Sequence, residues 1–226
     1  MSVLASVKET LHEGLAHHKD NRLDLAARSY RRVLETEPEN PDALHLLGMV
    51  VLAQGDPEAA IELIDTAAAI APNRATILFH LGEARRAAGR LTDSLAAFEA
   101  TLEIEPSDTA ALFHVGSLLV ALDRPDDAVP VFLKATALSP RSPELKLALA
   151  VALKDSGDLA EAGRLYHGVV DAVPNLADAH AALGIVLPEQ HRMEDALDTY
   201  RSVLISRPED FREALQNIPA SSAGKP

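Results

Sequence analysis

Six prolines stand at one strict interval in this chain: Pro38, Pro72, Pro106, Pro140, Pro174 and Pro208, each 34 residues after the one before. An unbroken period of that length marks a stack of like units, each burying its apolar face against the next. Few folds are compatible with it. Phasing the units on the prolines gives 7–40, 41–74, 75–108, 109–142, 143–176 and 177–210, with no insertion or deletion. Residues 1–6 are then a lead-in, and 211–226 a short capping helix followed by a disordered tail.

Other columns fall into register. The eighth place of successive units holds Gly14, Gly48, Gly82, Gly116, Ala150 and Gly184. The twentieth holds Ala26, Ala60, Ser94, Ala128, Ala162 and Ala196, and the twenty-fourth Tyr30, Ile64, Phe98, Phe132, Tyr166 and Tyr200. Residues four apart share one face of a helix, so each small residue at place twenty is paired with a bulky one a turn later. The small side chain lets a neighbouring helix approach, and the large one fills the space beside it. Between these columns lie Asn21, Gly55, Gly89, Asp123, Gly157 and His191. Most of these residue types tolerate the left-handed conformation that ends a helix. The prolines then close each second helix. Each unit therefore reads as two helices.

The columns resemble the tetratricopeptide repeat, whose pattern runs W-x2-L-G-x2-Y, then A-x3-F, then P. Unit two carries Leu44, Leu47, Gly48, Val51, Ala60, Ile64 and Pro72 at those places, and unit three Leu78, Leu81, Gly82, Arg85, Ser94, Phe98 and Pro106. No unit has the tryptophan; unit five departs at Lys146 and Ala150, and unit one at Thr10 and Glu13. Unit one therefore reads as a polar N-terminal cap. The resemblance implies an all-α, right-handed superhelical solenoid of antiparallel helix pairs, about twelve helices plus a short one near Phe211–Asn217. Pro130 and Pro188 read as local irregularities, near the start of one helix and the end of another.

Composition narrows the function. There are no cysteines, which excludes disulfides and thiolate metal sites. No apolar run reaches the ~20 residues of a membrane span, and the first residues lack a secretory pattern, so a cytoplasmic setting is expected. The net charge of −13 argues against a general nucleic-acid binder. It reads either as a device for solubility or as a preference for basic partners. There is no nucleophile elbow, glycine-rich phosphate loop or plausible carboxylate pair, and no cofactor is expected. Among the nine histidines, His12 and His17 are five apart and fail the i, i+4 spacing of a zinc-protease helix. His80 and His114, equivalent on successive units, are expected ~8–10 Å apart, too far for one ion.

In the tetratricopeptide family, the first helices of successive units line a concave groove that takes peptide segments. The resemblance carries this role to places five, nine and twelve of units two to five. The candidates are His45, Met49 and Leu52; Phe79, Glu83 and Arg86; Phe113 and Ser117; and Leu147, Val151 and Lys154. The scaffold column uses every Tyr and two of the five Phe. Of the remainder, Phe79 and Phe113 take the same groove place on adjacent units. They either pack between helices or anchor an apolar side chain of a partner. Glu83 and Arg86, three apart, are expected to pair with each other or to orient a bound chain. The family's chaperone-tail clamp has Leu11 and Leu15 in its Lys and Asn places. The asparagine ladder of the O-GlcNAc transferases is replaced by His12, Leu46, His80, His114, Ala148 and Ala182.

The first expectation is a non-catalytic scaffold that binds a protein or peptide segment with apolar anchors. A second makes the chain the N-terminal arm of a larger bacterial enzyme, since 41–48 looks like the arms of O-GlcNAc-transferase-like glycosyltransferases and some sulfotransferases. A third is self-association through the C-terminal face.

Overall fold

The computed structural model describes residues 3–173 together with 179, 180, 182, 183 and 186. The expectations for Pro188, for most of unit six, for the short last helix and for the tail lie outside the described residues. Ten helices are described: α1 (Val3–Lys19), α2 (Leu23–Thr36), α3 (Pro41–Ala53), α4 (Pro57–Ile70), α5 (Ala75–Ala87), α6 (Leu91–Ile104), α7 (Thr109–Ala121), α8 (Pro125–Leu138), α9 (Pro143–Asp155) and α10 (Leu159–Ala172). There is no strand among the described residues. No described helix is long and apolar enough to cross a membrane. From α3 onward, helix starts recur at the proline interval. α1 begins four residues ahead of that register, inside the segment read as a lead-in.

The turn column behaves as its chemistry requires. Asn21 and Asp123 have φ of 56° and 59°, and Gly55, Gly89 and Gly157 have φ of 90°, 74° and 92°. One left-handed residue per turn reverses the chain between helices only a few residues apart. Side-chain caps then start several helices: Asn40 Oδ1 accepts from the Ala43 N–H at 3.0 Å, and Asp56 Oδ1 from Ala59 at 3.1 Å. Ser142 and Asp158 cap α9 and α10 in the same way, each satisfying a donor that has no partner inside its helix. The prolines of the defining period fall two residues past each second-helix end, from Pro38 after Thr36 to Pro140 after Leu138. Pro130 is the sixth residue of α8. The helix continues through it despite the lost main-chain donor.

The chain forms two compact units, Met1–His114 and Val115–Pro226. In the first, α1 packs on α2, α3 on α4 and α5 on α6, with α2 also against α3 and α4 against α5. Its core includes Leu44, Ala60, Ile61, Ile64, Ile77, Leu81 and Ala97. In the second, α9 packs against both α8 and α10, around Phe132, Leu149, Leu153 and Tyr166.

The small and bulky columns meet inside the first four helix pairs. A methyl group added at Gly14 would lie 2.5 Å from the Tyr30 ring, at Gly48 2.5 Å from Ile64, at Gly82 2.9 Å from Phe98 and at Gly116 2.6 Å from Phe132. Ser94, where other units have Ala, is wholly buried and donates its hydroxyl to the Gly82 carbonyl at 2.7 Å. Arg85, in a place that is apolar in unit two, reaches out of α5 to Asp65 of α4 at 3.0 Å and to the Asp93 carbonyl of α6 at 3.2 Å.

Two phenols stand out in the bulky column. The hydroxyls of Tyr30 and Tyr166 are buried and have no hydrogen-bond partner. Burial pushes the Tyr30 phenol up to about 12 and raises that of Tyr166 as well. A buried hydroxyl without a partner carries an unrecovered desolvation cost. The equivalent places of units three and four hold Phe. Tyr30→Phe and Tyr166→Phe are each expected to stabilise the chain by about 1 kcal/mol. Urea-unfolding midpoints check this, and a lower midpoint in both variants would contradict it.

Candidate functional site

The groove candidates divide between the two units. His45, Met49 and Leu52 lie on α3, Phe79, Glu83 and Arg86 on α5, and Phe113 near the start of α7, all in the first unit. Ser117, Leu147, Val151 and Lys154 belong to the second, where all four are half-buried. There the Lys154 ammonium is held by Asp155 at 2.6 Å.

In the first unit the candidates build on a layer of rings. His114 stacks on the fully buried Phe98 of α6, with centroids 4.6 Å apart and planes 15° from parallel. Phe79 meets Phe98 edge-on at 5.2 Å and His114 at 5.5 Å. It also meets its neighbour His80 at 5.7 Å, and Phe113 stands against His114 at 5.8 Å. Such edge-to-face and offset contacts suit the quadrupoles of the rings. Phe79 and Phe113 are neither fully exposed nor fully buried. Each rests part of its surface on the layer and keeps part in solvent.

His45 differs from its expected place on the surface. It is only 7% exposed, lying against His80 with ring centroids 4.9 Å apart and planes 27° from parallel. Its Nε2 is 2.7 Å from His80 Nδ1, one nitrogen donating and the other accepting. His45 thus supports His80, which is the half-exposed member of the pair. Met49 and Leu52 also lean inward, against the α3–α6 core.

Three imidazoles in this layer are held below their ordinary value. Burial lowers His45 to about 4, helped by His80 and Arg74 and opposed by Asp42. Burial likewise lowers His80, with Glu83 and the Thr76 main chain pulling the other way. His114 is lowered by burial and then by Arg86, against Glu83 and Asp108. All three are therefore neutral at pH 7. No group of three His, Asp or Glu side chains is placed to hold a metal ion among the described residues.

Of the two arrangements expected for Glu83 and Arg86, the mutual pair is not formed. The Glu83 carboxylate lies 3.9 Å from His80 Nε2, and Arg86 is exposed with no ion pair among the described residues. Both neighbours sit three positions from Glu83, so spacing alone could not choose between them. At the helix start, Arg74 closes on Asp42 at 2.6 Å.

His80 and His114 were missed as groove elements because equivalent places of successive units are not the ones in contact. Contact between adjacent first helices is shifted by one residue. Place five of one unit meets place six of the next, as in His45 with His80 and Phe79 with His114. The signal was present as rings 35 residues apart.

Helix pairs recurring every 34 residues, left-handed turns and small-on-bulky columns define a helical-hairpin repeat protein. The tetratricopeptide repeat family matches over residues 11–75, 79–143 and 147–216, and the chain belongs to that family. Cellulose synthase 1 operon protein C of Komagataeibacter xylinus is 28% identical over 197 residues, covering 87% of this chain but 12% of that protein. This chain is thus similar to a small part of a much longer relative. Among solved structures, YrrB, described as a TPR protein with an unusual peptide-binding site, superposes with a TM-score of 0.75 at 21% identity, over 84% of this chain and 98% of its own. PilF of Pseudomonas aeruginosa gives 0.75 at 18%, over 94% and 97%. At these identities the likeness is one of fold.

Proposed function

We propose that the chain is a non-catalytic scaffold whose first helices hold a peptide segment of a partner protein through apolar anchors. The observation that carries this is the pair Phe79 and Phe113. Two repeat-equivalent rings sit on a layer built from Phe98, His80 and His114, yet keep part of their surface in water. Packing already fixes their orientation, so little conformational freedom is lost on binding. The peptide-binding site ascribed to YrrB and the family membership support the reading. A cytoplasmic setting is part of the proposal.

Phe113→Ala is expected to weaken a bound segment by ~1–3 kcal/mol. Phe79→Ala should do the same, with circular dichroism as the control because its ring also leans on Phe98. Calorimetric titration of a partner segment into wild type and variants is the test. Equal affinity in wild type and both variants would refute the site. A second reading treats the same face as part of an arm of a longer protein. The coverage of only 12% of the Komagataeibacter xylinus relative favours it, and reading the coding sequence beyond Pro226 tests it.

A further inference from the structure

The chemistry of the partner follows from Glu83, the acidic residue among the groove candidates of the first unit. Glu83 sits mid-helix on α5 with its side chain 30% exposed, beside Phe79 and 3.9 Å from the imidazole of His80. That imidazole is neutral at pH 7, for the reasons given above, so it does not balance the carboxylate. Arg86, three residues further along α5, is exposed and forms no ion pair with Glu83. A charge in water interacts weakly, whereas a half-buried one is less screened. The remaining pair at this end, Asp42 with Arg74, is already closed. The half-exposed ring of Phe79 favours a cation over an anion at its face. The whole chain adds a net charge of −13, which draws basic segments and repels acidic ones.

We propose that the segment bound by this face is basic, with a Lys or Arg that pairs with Glu83 while an adjacent apolar side chain rests against Phe79 and Phe113. This rests on the binding role proposed above and adds the charge of the partner. Arg86 works against it at close range, and so sets the direction in which a bound cation can lie. The cation belongs on the His80 side of Glu83, away from Arg86.

The test is selection from a displayed library of random dodecapeptides on the full chain, followed by fluorescence anisotropy of the enriched peptides. Enriched sequences are expected to place Lys or Arg within a few residues of Leu, Ile or Phe. Their affinity is expected to fall about 3–10-fold in Glu83→Gln and to stay unchanged in Glu62→Gln, an exposed site on α4. Arg86→Ala is expected to tighten them. Enriched peptides that are neutral or acidic, yet lose affinity in Phe113→Ala, would overturn the charge assignment and leave the binding role standing. Basic peptides indifferent to Glu83→Gln would also overturn it, since only the net charge of the chain would then be at work. Failure to enrich any peptide would remove both.

Discussion

Phe98→Ala is expected to cost ~3–5 kcal/mol of stability. The ring is wholly buried. It supports Phe79 edge-on at 5.2 Å and His114 face-on at 4.6 Å, so its removal leaves a cavity beneath the proposed groove as well as inside the α5/α6 pair. Gly82 supplies the internal check. A methyl group there would lie 2.9 Å from three atoms of the Phe98 ring, so Gly82→Ala alone must displace that ring, at ~1–3 kcal/mol. In a Phe98→Leu background the same substitution meets a smaller neighbour. It then recovers the ~1 kcal/mol by which Ala exceeds Gly inside a helix. Urea unfolding of the four proteins forms a double-mutant cycle. A coupling near zero would mean that the two residues do not set each other's size. Unit five shows that the column is not rigidly glycine: Ala150 and Tyr166 are both fully buried there.

That coupling explains why so much of the fold was legible. The Gly-Tyr, Gly-Ile and Gly-Phe pairs recur at fixed places in the first four units, and a contact so repeated leaves a column in the sequence. The left-handed turn residues did the same, down to Asn21 and Asp123 standing in for glycine. Contacts made once leave no column. Arg85 finds Asp65 twenty positions away on a neighbouring helix, and nothing in the pattern names that partner. Glu83 has His80 and Arg86 at equal spacing, and only burial and rotamer decide between them. The ring layer lies between these cases. Its members sit at two different places of the repeat, so comparison of like with like passed over His80 and His114. The same comparison put His45 in the groove, although the next unit covers it.

The His45–His80 pair makes the first unit sensitive to acid. An imidazole is ordinarily half-protonated near 6.5, and burial holds His45 at about 4 in the folded chain. Between these values the unfolded chain binds the proton and the folded chain does not, so stability falls as pH falls through that window. The contribution is complete above 6.5 and exhausted below about 4. His45 alone is expected to remove ~2 kcal/mol between pH 7 and pH 5. His80 and His114 are lowered too and act in the same direction. Arg74 at the start of α5 sharpens the effect, while Asp42 on α3 moderates it. The geometry gives a reason beyond burial. One proton can be shared across the 2.7 Å between His45 Nε2 and His80 Nδ1, but two protonated rings cannot keep that contact. His45→Gln removes the titrating ring and keeps hydrogen-bonding capacity beside His80. Its unfolding midpoint is expected to vary less between pH 7 and pH 5 than that of wild type. An equal loss in both proteins would place the acid sensitivity elsewhere. A proton NMR titration in which His45 turns over near 6.5 rather than near 4 would refute the buried pair directly.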